Sequence, residues 1–159
     1  MKAVAIDLDA LGDTRRLWDD WLADAARRFQ SIAELDVQSL PQDRGEAAVE
    51  LDRWAGQGIG DWGAALGRFA QDRAPVYFRP EASVTAALRV LEGSGVRLGV
   101  FTDAPEPLAR VALAHLGAAR RIELLETGAG ALDRLLAALG PDTAILRSKD
   151  DLSGLPGYI

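Results

Sequence analysis

Two aspartates, Asp7 and Asp9, stand one residue apart at the end of an apolar run near the start of the chain. Ala3, Val4, Ala5, Ile6 and Leu8 read as a buried strand. Alternate side chains of a strand share a face, so a strand continuing through residue 9 would aim both carboxylates the same way. Neighbouring carboxylates repel each other unless a cation or a proton lies between them. Such a pair is costly as a stabilising device and makes sense as a site that binds Mg²⁺ and attacks phosphorus. A second apolar strand closes on Thr102 and Asp103. Either of these two side chains could instead cap the helix expected from Pro105 onward, a role compatible with phosphate binding at a helix N-terminus.

The elements that must position these residues fall into three parts. Residues 1–12 supply the first strand and its loop, 13–79 read as helical, and 80–159 alternate strands with helices. In the middle part Leu17, Trp18, Trp21, Leu22, Ala25, Phe29 and Ile32 recur at helical spacing, with Asp13 or Thr14 as N-cap. Further helices are expected over 43–55 and 61–72, separated by Gly56, Gly58 and Gly60. In the last part, strands are expected over 97–101, 122–125 and 143–146, with helices between them. This alternation implies an α/β fold with a parallel sheet and right-handed crossovers. Ligands of such sheets sit at the strand C-termini near the switch in strand order, where Asp7, Asp9 and Thr102 fall.

The segment Ile6-Asp7-Leu8-Asp9-Ala10-Leu11 resembles the first motif of the haloacid dehalogenase superfamily, DxDGT. Val100-Phe101-Thr102-Asp103 is similar to the second, an apolar strand ending in Thr or Ser. The order of the remaining elements follows the same plan over nearly the whole chain. The resemblance implies a Rossmann-like core from 1–12 and 80–159, shortened at its C-terminus. It also implies an inserted helical cap over 13–79, as in phosphoglycolate-phosphatase-like members. Carried over residue by residue, it makes Asp7 the nucleophile and Asp9 the general acid and base. Asp7, the main-chain carbonyl of Asp9, and Asp151 would then hold Mg²⁺. The Thr102 hydroxyl and the Asp103 peptide N–H would hold phosphate.

The later motifs depart from that pattern. Ala129, in Gly128-Ala129-Gly130-Ala131-Leu132-Asp133, takes the place of a lysine, and Arg147 takes the place of the first acid of the fourth motif. Ala10 and Leu11 replace the glycine and threonine of the first, where glycine would ease close phosphate approach. Phosphoryl transfer depends on positive charge around the developing negative charge, so these losses should slow it. Arg147 or Lys149, the latter one of only two lysines, is expected to pair with Asp7 or Asp9 as a fixed cation in place of the metal.

The remaining candidates read more plainly. His115, the single histidine, lies on a helical packing pattern, and Gly128 and Gly130 mark a strand-to-helix loop. The four tryptophans, Trp18, Trp21, Trp54 and Trp62, are expected to pack the helical region's own small core rather than line a substrate cleft. By the strand order that the resemblance implies, the fourth strand, at residues 143–146, would be an uncovered sheet edge. Either a homodimer through that edge or residues 152–159 folded over it is expected.

Composition sets the outer bounds. A chain of 159 residues suits one domain, or a small core with an inserted cap, that buries about 70% of its unfolded surface. With no cysteine, disulfides, thiolate catalysis and cysteine-ligated metal are excluded. A formal charge of −6, with both signs mixed along the chain, argues against nucleic-acid or anionic-membrane partners. No signal peptide or membrane span is recognisable, so a cytoplasmic location is expected. Two functions stay open at this point. One is a phosphatase acting on a phosphorylated small molecule through an aspartyl-phosphate on Asp7. The other is a catalytically inactive relative that binds a phosphorylated ligand or a protein partner.

Overall fold

The structure, a computed structural model, describes residues 1–154. Four parallel strands form one sheet in the order β3-β2-β1-β4. They are β1 (Ala3–Asp7), β2 (Arg97–Thr102), β3 (Leu124–Thr127) and β4 (Thr143–Leu146). The fold is α/β and Rossmann-like. The central strand β1 is apolar on both faces, as a strand covered from both sides must be. Val4 and Ile6 face the larger apolar cluster, and Ala3 and Ala5 the smaller one. Register sets Asp7 opposite Phe101 of β2, one residue before Thr102.

Helices α5 (Ala82–Gly93) and α6 (Glu106–His115) cover one face. On the other, α7 (Ala131–Leu139) packs Leu135 and Leu139 against β2 at Gly99. A Cβ built there would lie 2.6 Å from Leu135, so glycine permits the close approach. The short α8 (Lys149–Ser153) buries Leu152 in the larger cluster, so this residue fills the core beneath α5 rather than covering the β4 edge. Residues 155–159, part of the segment expected over that edge, lie outside the described residues.

Between β1 and α5 come a single turn α1 (Leu8–Leu11) and three longer helices: α2 (Arg15–Ala33), α3 (Arg44–Trp54) and α4 (Trp62–Tyr77). Trp18 and Trp21 have ring centroids 5.5 Å apart, and Phe29 lies edge-on to both Trp21 and Trp54. Three of the four tryptophans are buried as expected, and Trp62 is half-buried with its indole N–H on Asp52. Their core is not separate, however. It runs on without a break into Val4, Ile6, Leu108 and Ala112. Small residues make this merger close, with α4 lying along α6 and Gly67 facing Pro107.

Three local expectations are corrected. The first strand stops at Asp7, whose carboxylate accepts the Asp9 N–H at 3.0 Å and starts a helical turn, so Asp9 belongs to α1 and not to the strand. β3 begins two residues later than expected because a 3₁₀ turn at Ala119–Arg121 precedes it. The polar residues Glu126 and Thr127 pair with Phe101 and Thr102 instead of forming loop. The helix expected to end at residue 72 runs on through Pro75 to Tyr77.

Candidate functional site

Asp7, Asp9, Thr102 and Asp103 meet at the C-terminal edge of the sheet, as the strand order requires. They share an open cleft of about 520 Å³ with Asp43, the loop at residues 128–130 and the first turn of α7. In that loop Gly128 (φ 79°) and Gly130 (φ 72°) occupy left-handed conformations that favour glycine. Arg134 braces the loop from outside, with Nη1 on the Ala129 carbonyl and Nε on Glu126.

Behind the cleft lies a dense ionic cluster centred on Arg44, the first residue of α3. Its side chain is 1% exposed. The guanidinium reaches Asp103 through Nε at 3.0 Å and Nη2 at 2.8 Å, and its backbone N–H donates to Asp103 at 2.9 Å. Nη1 donates to the buried Thr14 hydroxyl at 2.6 Å, and Nη2 to Asp9 at 3.2 Å. The other oxygen of Asp9 accepts both the Thr14 N–H at 2.9 Å and the Thr14 hydroxyl at 2.7 Å. Arg15 adds a longer contact to Asp103 at 3.6 Å. Asp9 is thereby held by Thr14 on one side and by Arg44 on the other.

Thr102 is buried, and its hydroxyl accepts the Ala104 N–H at 3.1 Å. As an acceptor there, it keeps its own proton for a second partner. Asp103 does not cap α6, because its carboxylate is turned to Arg44. His115 is half-buried on α6, in keeping with a packing role.

The electrostatics divide these carboxylates. Asp7 is pushed above the usual carboxylate range, first by burial and then by the negative charges of Asp9 and Asp103. Its bond from the Asp9 N–H and the charge of Arg44 only partly offset this. Burial acts on Asp103 in the same direction, but the two hydrogen bonds from Arg44 and the charges of Arg44 and Arg15 outweigh it and hold Asp103 low.

The expected substitute cations are elsewhere. Lys149 pairs with Glu81, and Arg147 lies over the Phe101 ring with its guanidinium carbon 5.8 Å from the centroid. Neither has a hydrogen bond or ion pair with Asp7 or Asp9. The buried cation of the site is Arg44, from α3.

Asp151 is likewise committed to its own helix. It accepts the N–H groups of Arg147 and Ser148, completing a capping box with Ser148. Among the described residues no three acidic or histidine side chains converge as a metal cage. The donor set that the resemblance implies for Mg²⁺ is therefore not assembled, and the residues present do not fit that ion.

A second cleft of about 480 Å³ lies between α2 and the segment 37–42, with Arg15 and Trp18 among its lining residues. Trp18 thus borders a cleft, though not the one that holds Asp7. Arg44, Thr14 and Gly45 are the residues that sequence reasoning missed. Arg44 left one signal, a cation in the first turn of a helix, where the helix dipole disfavours positive charge unless a carboxylate answers it.

No family model matches the chain, and no curated protein matches it.

Proposed function

We propose that the chain is a haloacid-dehalogenase-like protein that hydrolyses phosphate monoesters through Asp7. The observation that supports this most is the convergence of Asp7, Asp9 and Thr102 on one cleft, beside the point where the strand order reverses. In this reading an Asp7 oxygen attacks phosphorus, forming an acyl-phosphate bond as the ester P–O bond breaks. Asp9 gives a proton to the leaving oxygen. Water then attacks the aspartyl-phosphate, Asp9 takes its proton, and inorganic phosphate leaves. Thr102 offers its hydroxyl to a phosphoryl oxygen. The substrate is a phosphorylated small molecule that reaches the cleft from solvent.

The reaction is slow on this account. Among the described residues no lysine or arginine lines the cleft, and the Arg44 guanidinium behind it is engaged with Asp9 and Asp103. Each missing 1.4 kcal/mol of transition-state stabilisation costs about tenfold in rate. The test is hydrolysis of an aryl phosphate by the wild type and Asp7→Asn, with Mg²⁺ and with a chelator. Weak turnover that needs Asp7 and is unchanged by the chelator is expected. Equal rates from the two proteins would end the hydrolase reading.

A second reading, a non-catalytic relative that binds a protein partner, is favoured by the wholly acidic charge of the cleft lining. Equal rates in that assay would leave this reading standing. The β4 edge, which no other strand pairs among the described residues and where Ile145 is 39% exposed, also supports pairing with a second copy. Sedimentation of Ile145→Lys beside the wild type tests that pairing. A dimer lost in the variant is expected, and a wild-type monomer would contradict it.

A further inference from the structure

We propose that Arg44 is the internal counter-charge of the Asp7 site, a positioning residue that supplies from α3 the positive charge that the loop after β3 lacks. The inference rests on the reading above in taking Ala129 for the lysine position. Three carboxylates, Asp7, Asp9 and Asp103, gather at one end of the sheet, and Arg44 touches two of them from a fully buried position. Its neighbour Gly45 presses on the same loop that carries Ala129. A Cβ built on Gly45 would lie 2.6 Å from the Ala129 backbone nitrogen. The first turn of α3 is therefore seated against the place from which a lysine would have reached the site. Lys149 and Arg147 are engaged elsewhere and Arg15 stands 3.6 Å from Asp103 with a partly exposed side chain, so Arg44 is the buried cation that answers the charge.

A structural tether and a counter-charge make different predictions when the charge is moved. A tether is lost with Arg44 and cannot be restored from another loop. A counter-charge can be replaced by a cation elsewhere in the site, or made unnecessary by removing a carboxylate. Ala129 is exposed on the cleft, so a lysine there has room to reach inward.

The experiment compares melting temperatures of the wild type, Arg44→Gln, Arg44→Gln with Ala129→Lys, and Arg44→Gln with Asp103→Asn. Arg44→Gln should lower the melting temperature by about 5–10 °C, since it strands partly buried carboxylates. Each second substitution should restore at least half of that loss. Arg44→Lys, which keeps the charge without the fork, should fall between the wild type and Arg44→Gln. A loss under about 1 °C in Arg44→Gln, or no recovery in either double variant, would overturn the proposal. So would an equal gain from Ala129→Lys in the wild-type background. If Arg44→Gln does not accumulate as folded protein, the doubles still decide: folded doubles support the counter-charge, and unfolded doubles overturn it. These melting temperatures do not depend on turnover, so failure of the hydrolase reading would show separately, in the aryl phosphate assay.

Discussion

The loops after β1 and β2 and the loops after β3 and β4 end at the same edge of the sheet but behave differently. In the first pair, Asp7, Asp9, Thr102 and Asp103 meet each other or Arg44 and Thr14, and much of their bonding crosses between distant parts of the chain. In the second pair, side chains serve their own surroundings. Asp151 caps α8 and Arg134 braces its own loop, while Lys149 pairs with Glu81 at the start of α5, away from the cleft. Chemistry that needs convergent groups is therefore confined to one half of the site. The positive charge expected from the other half comes from Arg44 of α3 instead.

The sharpest way to break this contrast is to remove a cation from each half. Arg44→Ala should cost about 2–4 kcal/mol, somewhat below the range for fully buried pairs because Asp9 and Asp103 keep some exposure. Lys149→Ala, which opens an exposed pair, should stay within about 0.5 kcal/mol. Thermal unfolding of both variants at one pH and salt concentration checks this, and equal losses would erase the distinction.

Seating of α3 on the loop after β3 gives a smaller effect. Gly45→Ala drives a methyl group into the Ala129 backbone and should cost about 1–3 kcal/mol. Gly63→Ala in α4, where the nearest atom is 3.7 Å from the added carbon, should instead stabilise by about 0.5–1 kcal/mol. Chemical denaturation of the two variants reads opposite signs if the packing is as described.

The smallest effects separate the carboxylates themselves. Asp7 has a raised folded-state pKa, so its ionised form burdens the folded protein at neutral pH, and the burden fades as pH falls through that raised value. Asp7→Asn should therefore raise the melting temperature at pH 7 by about 1–3 °C and have little effect near pH 3. Asp103 is the reverse case. Its lowered pKa contributes stability above about pH 4, and this is lost as pH falls through the folded value. Asp103→Asn should lower the melting temperature at pH 7, with the difference shrinking in acid.

Much of the fold was legible because strand and helix periods differ and the turns carry glycine. The buried run at β1, the alternation after residue 80 and the position of Thr102 at a strand end all follow from local pattern. The β4 edge position followed from the resemblance and agrees with the strand order. The end of β1 did not follow, because Asp7 bonds to a backbone N–H two residues on, and a turn of that kind looks the same in sequence as one more strand residue. Arg44 was hidden for a different reason. Its partners lie 35 and 59 positions away, and only tertiary folding brings them within 3.2 Å. Lys149 and Arg147 attracted attention by sequence position, yet tertiary folding gives them other partners, Glu81 for Lys149 and the Phe101 ring for Arg147.

The central proposal is that Asp7 is the carboxylate that attacks phosphorus, and trapping its acyl-phosphate tests that most directly. The protein would be mixed with an aryl phosphate, quenched with borohydride, digested, and its N-terminal peptide read by mass spectrometry. The account predicts reduction of residue 7 to homoserine in the wild type, more of it in Asp9→Asn, where the water step is slowed, and none in Asp7→Asn. Hydrolysis by the wild type with residue 7 unmodified in both the wild type and Asp9→Asn would contradict it.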